Sequence, residues 1–158
     1  MFRAVILALA LGFASYAQQT CPATANTSSV AFTPPAPYPE APARGFLYGT
    51  TALWTYIDSG PMHTGDEDHL SAKLIYWRTG FDWKAESLPD LKVIAKRLDS
   101  PAPLIEAPQV RGVRLNDDEI PANMAMMTGI AFPEPGCWQI VATYKGINTL
   151  SYIAWVVR

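Results

Sequence analysis

An all-β antiparallel sandwich is the fold class this sequence predicts, with a small β-barrel as the alternative. Three observations predict it. Beyond residue 44 the chain divides into roughly six or seven short runs rich in β-branched and aromatic residues. Gly, Pro and Asp turns separate those runs, and no segment sustains a helical apolar period. Strands joined without intervening helices must cover their apolar faces with one another, either as two packed sheets or as a closed barrel.

Composition agrees with a single core. The chain has 158 residues, 49% of them hydrophobic, and a formal charge of -2. Its mean hydropathy is +0.06. That much apolar surface excludes a disordered chain, which could not offset its ordering entropy by burial. The slight acidity excludes a nucleic-acid-binding protein, because phosphate recognition needs a dense field of Lys and Arg.

Taken in order, residues 1–17 predict a secretory signal. Arg3 precedes an apolar run from Ala4 to Ala14, and Ser15-Tyr16-Ala17 supplies the small residues of a cleavage site. The run gives way to Gln18-Gln19-Thr20 before reaching the ~20 residues a membrane span requires, and no later segment is long enough. That polar approach also argues against lipid attachment at Cys21. Residues 18–44 form a Pro-rich extension, with Pro34, Pro35, Pro37, Pro39 and Pro42 in close succession. Proline fixes φ and removes a backbone donor, so this stretch is expected to be extended and to lie along the domain rather than serve as a free Pro-rich ligand.

Residues 45–158 are the predicted sandwich domain. Phe46 to Ile57 reads as one strand, ended by Asp58-Ser59-Gly60-Pro61. Leu70 to Thr79 places Leu70, Ala72, Leu74 and Tyr76 on one face and Ser71, Lys73, Ile75 and Trp77 on the other. Leu91 to Leu98 could be a short helix, but Val93 and Ile94 between flanking prolines favour a strand. A weaker run spans Gln109 to Leu115, and another spans Met124 to Phe132. Cys137 to Tyr144 and Thr149 to Val157 form a hairpin across Lys145-Gly146-Ile147-Asn148. Its period-two faces are Trp138, Ile140, Ala142 and Tyr144 on the first strand, and Leu150, Tyr152, Ala154 and Val156 on the second.

Export gives the two cysteines their meaning. In an oxidising compartment an even count, with one thiol near each end of the mature chain, predicts a Cys21–Cys137 bridge. A redox or catalytic thiol would want Cys-x-x-Cys spacing or a nearby His, and neither is present in sequence.

The early Cys21-Pro22-Ala23-Thr24 and the late Phe132-Pro133-Glu134-Pro135-Gly136-Cys137-Trp138 run carry a resemblance, supported by Gly49 to Thr55, Lys73 to Arg78 and Lys96 to Pro103. With these motifs the chain resembles a group of small exported bacterial proteins that pair an early Cys-Pro with a late Phe-Pro-x-x-Gly-Cys-Trp strand. Asn116 to Met127 departs from the glycine-rich stretch of that group. The resemblance implies an immunoglobulin-like sandwich with its two cysteines bridged, and it implies no activity.

One segment could ligate a metal. His63 and His69, with Asp66 and Asp68 between them, offer the nitrogen and carboxylate donors that Zn²⁺ favours. An acidic, glycine-containing segment between strands is more often a solvated turn. Phe81 and Trp83, near Tyr76 and Trp77, are candidate surface anchors, while Tyr76 or Trp77 is expected in the core. No nucleophile elbow or phosphate-binding glycine loop occurs. The expectation is a non-catalytic module without a cofactor, periplasmic or extracellular, that binds an envelope or extracellular macromolecule or serves a structural part. The alternative is a metal-binding protein or metal-dependent enzyme built on the His63/His69 loop. Intact-mass measurement of the exported protein should show a chain beginning at Gln18; an unprocessed chain retained in the cytoplasm would remove the basis for every expectation about compartment.

Overall fold

In the computed structural model, which describes residues 21–25, 27, 31–38, 40–64, 70–116 and 121–158, the Phe46 to Ile57 run is two strands rather than one. β1 (Gly45–Thr50) and β2 (Leu53–Asp58) pair antiparallel from Gly45↔Asp58 to Thr50↔Leu53. The hairpin closes on Thr51 and Ala52, which carry no turn signature. Gly49 makes the close approach possible. Its φ is +136°, and a Cβ there would collide with the Leu53 carbonyl oxygen and lie 2.7 Å from the Trp54 Cα. Only glycine is accommodated.

The later strands follow the predicted runs closely. They are β3 (Met62–His63), β4 (Ser71–Trp77), β5 (Leu91–Arg97), β6 (Ile105–Glu106), β7 (Arg111–Arg114), β8 (Met124–Ala131), β9 (Gly136–Tyr144) and β10 (Asn148–Val157). The short β3 and β6 have no counterpart among the predicted runs. Leu91 to Leu98 is a strand, as the flanking prolines indicate.

Two separate sheets result, so the fold is a sandwich and not a barrel. One has the order β1-β2-β4-β8-β7 and the other β3-β10-β9-β5-β6. Every strand pairing within them is antiparallel except β3 with β10, where Met62 and His63 run parallel to Val156 and Val157. The orders β2-β4-β8-β7 and β10-β9-β5 are those of the A-B-E-D and G-F-C sheets of an immunoglobulin sandwich. The core lies between them and contains the predicted faces: Leu74 and Tyr76 of β4 oppose Trp138, Ile140 and Ala142 of β9 and Leu150, Tyr152 and Ala154 of β10.

The Pro-rich extension contacts both sheets at their edges and covers the outer face of β2. Cys21 is bonded to Cys137 with their Cα atoms 5.3 Å apart. Thr24 then caps β10, its N–H donating to the Ile153 carbonyl at 2.9 Å and its hydroxyl accepting the Ile153 N–H at 2.9 Å. Further on, Ala31 bridges to Tyr48, and the Phe32 N–H donates to the Leu47 carbonyl at 2.7 Å. That contact covers part of the free edge of β1. Trp54 alternates with the core residues Leu53 and Ile57 and so points out of its sheet, yet it is 2% exposed. Phe32 and Tyr38 cover it, with ring centroids 5.5 and 5.0 Å away.

A polar clamp positions Cys137 for its bridge. The Arg97 Nε donates to the Asp99 carboxylate at 2.6 Å, its guanidinium also pairs with Glu134, and Asp99 accepts the Cys137 N–H at 2.9 Å. Burial pushes the Asp99 carboxyl up, but the hydrogen bonds from Arg97 and Cys137 outweigh it and hold the group below the usual carboxylate range. Gly136, at φ +156°, leaves room for the guanidinium where a Cβ would stand 2.8 Å from it.

The bridge spans 116 residues. Replacing both cysteines by serine should lower guanidinium-unfolding stability by about 2–4 kcal/mol while leaving the sandwich folded. An unchanged midpoint would show that Phe32 and Tyr38 hold the extension without help from the covalent bond.

Candidate functional site

Sheet pairing is interrupted between β2 and β4. These strands are in register only at Trp54↔Trp77 and Thr55↔Tyr76, whereas β4 pairs with β8 from Ser71 to Tyr76. At the point where the ladder stops, the Thr55 hydroxyl donates to the Ile75 carbonyl at 2.7 Å. A side chain thus takes the acceptor that a neighbouring strand would use. Beyond it, β2 continues to Asp58 alongside β1 alone, and the chain crosses through Ser59-Gly60-Pro61 to join β10 as β3.

That departure leaves a cleft of about 900 Å³, within the range of ligand sites. Tyr56 and Trp77 flank its mouth, Ile57 and Leu74 line its walls, and Tyr152 and Ala154 of the opposite sheet lie beneath. The Tyr56 hydroxyl is held by Asp58 at 3.0 Å, and the Trp77 indole N–H donates to the Ala122 carbonyl at 3.0 Å. Both rings are therefore fixed in orientation. Asp58 stands on one rim and Lys73 on the other, with Glu40 and His63 also among the lining residues, so the mouth carries no single sign of charge.

Beneath the cleft, Tyr152 faces Tyr76 with their hydroxyl oxygens 3.4 Å apart. Two hydroxyl protons meet there, and one contact can use only one of them. Burial pushes the Tyr152 phenol up to about 12, against a small lowering by the Tyr76 hydrogen bond. Burial, followed by Tyr152, also drives the Tyr76 phenol well above its ordinary value.

Of the residues singled out from sequence, Trp77 and His63 line this cleft, and others fall outside the described chain. His63 is exposed at the end of β3, beside Val157. Asp66, Asp68 and His69 lie outside the described residues, as do the signal segment 1–17 and the acidic residues 117–119. Among the described residues no three His, Cys, Asp or Glu side chains gather as metal ligands would.

Phe81 is corrected from a surface anchor to a core residue, 3% exposed. The left-handed Gly80, at φ +70°, turns the chain back so that the ring enters the sandwich. Trp83 is half-buried against the core, and its indole N–H is buried without a partner among the described residues. Among the described residues, the large aromatic that does face solvent is Trp155, 52% exposed on the outer face of β10. Of the pair Tyr76 and Trp77, Tyr76 belongs to the core and Trp77 to the cleft. Tyr56, Lys73 and Ile75 were not marked by sequence as a site, because nothing local to a strand records where its neighbour stops.

Comparison of the chain with protein-family models gives no match, and comparison with curated proteins gives none either. Among solved structures it is similar to a Bacillus anthracis protein described as a "Putative Lipoprotein", at 11% identity and a TM-score of 0.38, over 76% of this chain and 86% of that one.

The buried tyrosines predict a loss of stability in alkali. A phenol whose folded pKa exceeds its unfolded value of ~10 contributes stability that is complete below that pH and is lost as the pH rises through the folded value. For Tyr152 the window is from about 10 to about 12. Urea midpoints should fall between pH 10 and 11, and the fall should shrink in Tyr152→Phe; equal slopes in the two proteins would refute the assignment.

Proposed function

We propose that this chain is an exported, non-catalytic binding module of the cell envelope or extracellular space, and that the β2–β4 cleft is its binding site. The proposal includes membership of the group of small exported bacterial proteins whose Cys-Pro and Gly-Cys-Trp motifs the sequence resembles. The carrying observation is the interruption of sheet pairing at Thr55, which opens an apolar cleft of about 900 Å³ through an otherwise covered sheet. The Cys21–Cys137 bridge supports export, since such bonds persist in oxidising compartments.

The chemistry offered by the cleft favours binding over catalysis. Aromatic faces and strand backbone dominate it, and the Thr55 hydroxyl is committed to a carbonyl rather than to a base. Fixed rings around an apolar slot are suited to anchoring a partner, because their orientation is set before contact. Macromolecular recognition fits the open mouth, which is bounded by a strand edge on either side.

A photo-crosslinking side chain tests this reading. Benzoylphenylalanine placed at Lys73, on the rim, should yield a macromolecular adduct in cells that export the protein, at least several-fold above the same group at Lys92 on the outer face of β5. Absence of an adduct at 73, with export and folding intact, would overturn the proposal.

A further inference from the structure

We infer that the β2–β4 cleft takes an extended peptide segment of a partner protein, docked as an added strand between β2 and β4. This rests on the cleft being the binding site and goes further by naming the chemistry it recognises.

The hydrogen-bonding phase of the two walls carries the inference. In antiparallel pairs, successive residues direct their N–H and C=O groups alternately to the strands on either side. The Ser59 N–H donates to the Arg44 carbonyl at 2.9 Å, in phase with the β1–β2 ladder, so Leu53, Thr55 and Ile57 face β1. Tyr56 and Asp58 therefore face β4. Across the cleft the Phe132 N–H donates to the Leu70 carbonyl at 2.7 Å, so Ala72, Leu74 and Tyr76 face β8. Ser71, Lys73 and Ile75 face β2.

Two open strand edges thus look at each other across one gap. Of their backbone groups, the Ile75 carbonyl is taken by Thr55 at 2.7 Å, the Thr55 hydroxyl also lies 3.4 Å from the Tyr56 carbonyl, and none of the rest has a strand partner among the described residues. Each wall repeats its donors and acceptors every second residue, about 6.6–6.8 Å apart. An acyl chain or a sugar has no such repeat, whereas an extended peptide carries it on both edges. Strand insertion also satisfies backbone groups that would otherwise face an apolar slot. Because β2 and β4 run antiparallel to each other, the added strand would be parallel to one and antiparallel to the other. The β3–β10 pairing shows that this fold accommodates a parallel neighbour.

Side-chain alternation then specifies the partner. One set of its side chains would enter between the sheets over Ile57, Leu74 and Tyr152, which demands apolar residues. The other set would lie outside, beside Tyr56 and Trp77. With Lys73 set against Asp58 and Glu40 around the cleft, a peptide of low net charge fits best.

The test uses a phage-displayed library of linear ten-residue peptides against the exported, disulfide-bonded protein. Enriched sequences should alternate apolar residues. N-methylation of the best synthetic peptide should weaken binding at least tenfold at successive central amides, since these face β2 and β4 in turn, and less than twofold at terminal amides that extend beyond both open edges. Lys73→Pro removes an N–H that faces the cleft and spares the β4–β8 ladder, so it should weaken binding about tenfold with an unchanged near-ultraviolet spectrum. Should that variant fail to fold, the N-methyl series still decides. Binding that is indifferent to backbone methylation, or a library that enriches nothing, would overturn strand addition. In either case an adduct at residue 73 would leave the binding-module reading standing, and its absence would remove both.

Discussion

The chain that forms β2 cannot stay in its sheet and also supply a neighbour for β10, and most of the molecule's features follow from how it divides itself. Up to Thr55 it pairs with β4; after Asp58 it crosses to the other sheet and runs beside Val156 and Val157. Pro61 lies in that crossing and has no N–H to offer a ladder. Closing the edge of β10 therefore leaves part of β4 uncovered. The cleft is the consequence of this division in a sandwich whose other strands are fully paired along their shared lengths.

Around the opening the fold is held firmly. Trp138, Ile140 and Ala142 fill the middle of the core, and Trp54 seals the outside of β2 because Phe32 and Tyr38 fold over it. Tyr38 also ties the extension to the far end of β4, donating its hydroxyl to the Arg78 carbonyl at 3.1 Å and accepting the Gly80 N–H at 3.0 Å. At the opposite end of the sandwich Tyr144 donates to Glu86 at 2.6 Å while Lys145 pairs with the same carboxylate at 3.3 Å. Tyr38 and Trp54 themselves line the cleft, so these contacts fix part of its wall and a ligand would meet a site whose ordering cost is already met.

Legibility differed between elements for physical reasons. The β9–β10 hairpin was plain because its alternation is strict and both faces are decided by burial. The β1–β2 hairpin was hidden because Thr51 and Ala52 are not turn residues, and the feature that permits it, the backbone of Gly49, depends on how closely Trp54 approaches from across the pair. Phe81 was misread for a similar reason. Its clustering in sequence with Tyr76, Trp77 and Trp83 suggests a surface anchor, but the direction of a ring after the left-handed Gly80 depends on where the rest of the sandwich lies.

From residues alone came the position and character of most strands, their inward faces and the pairing of the two cysteines. Each of these is set by local periodicity or by the scarcity of thiols. Tertiary structure alone decided which strands became neighbours, where β2 parted from β4, and hence which backbone groups were left facing a gap. Hydrogen-bond partners across a sheet come from residues distant in sequence, so an unpaired edge is a property of the assembled sheets and of no single strand.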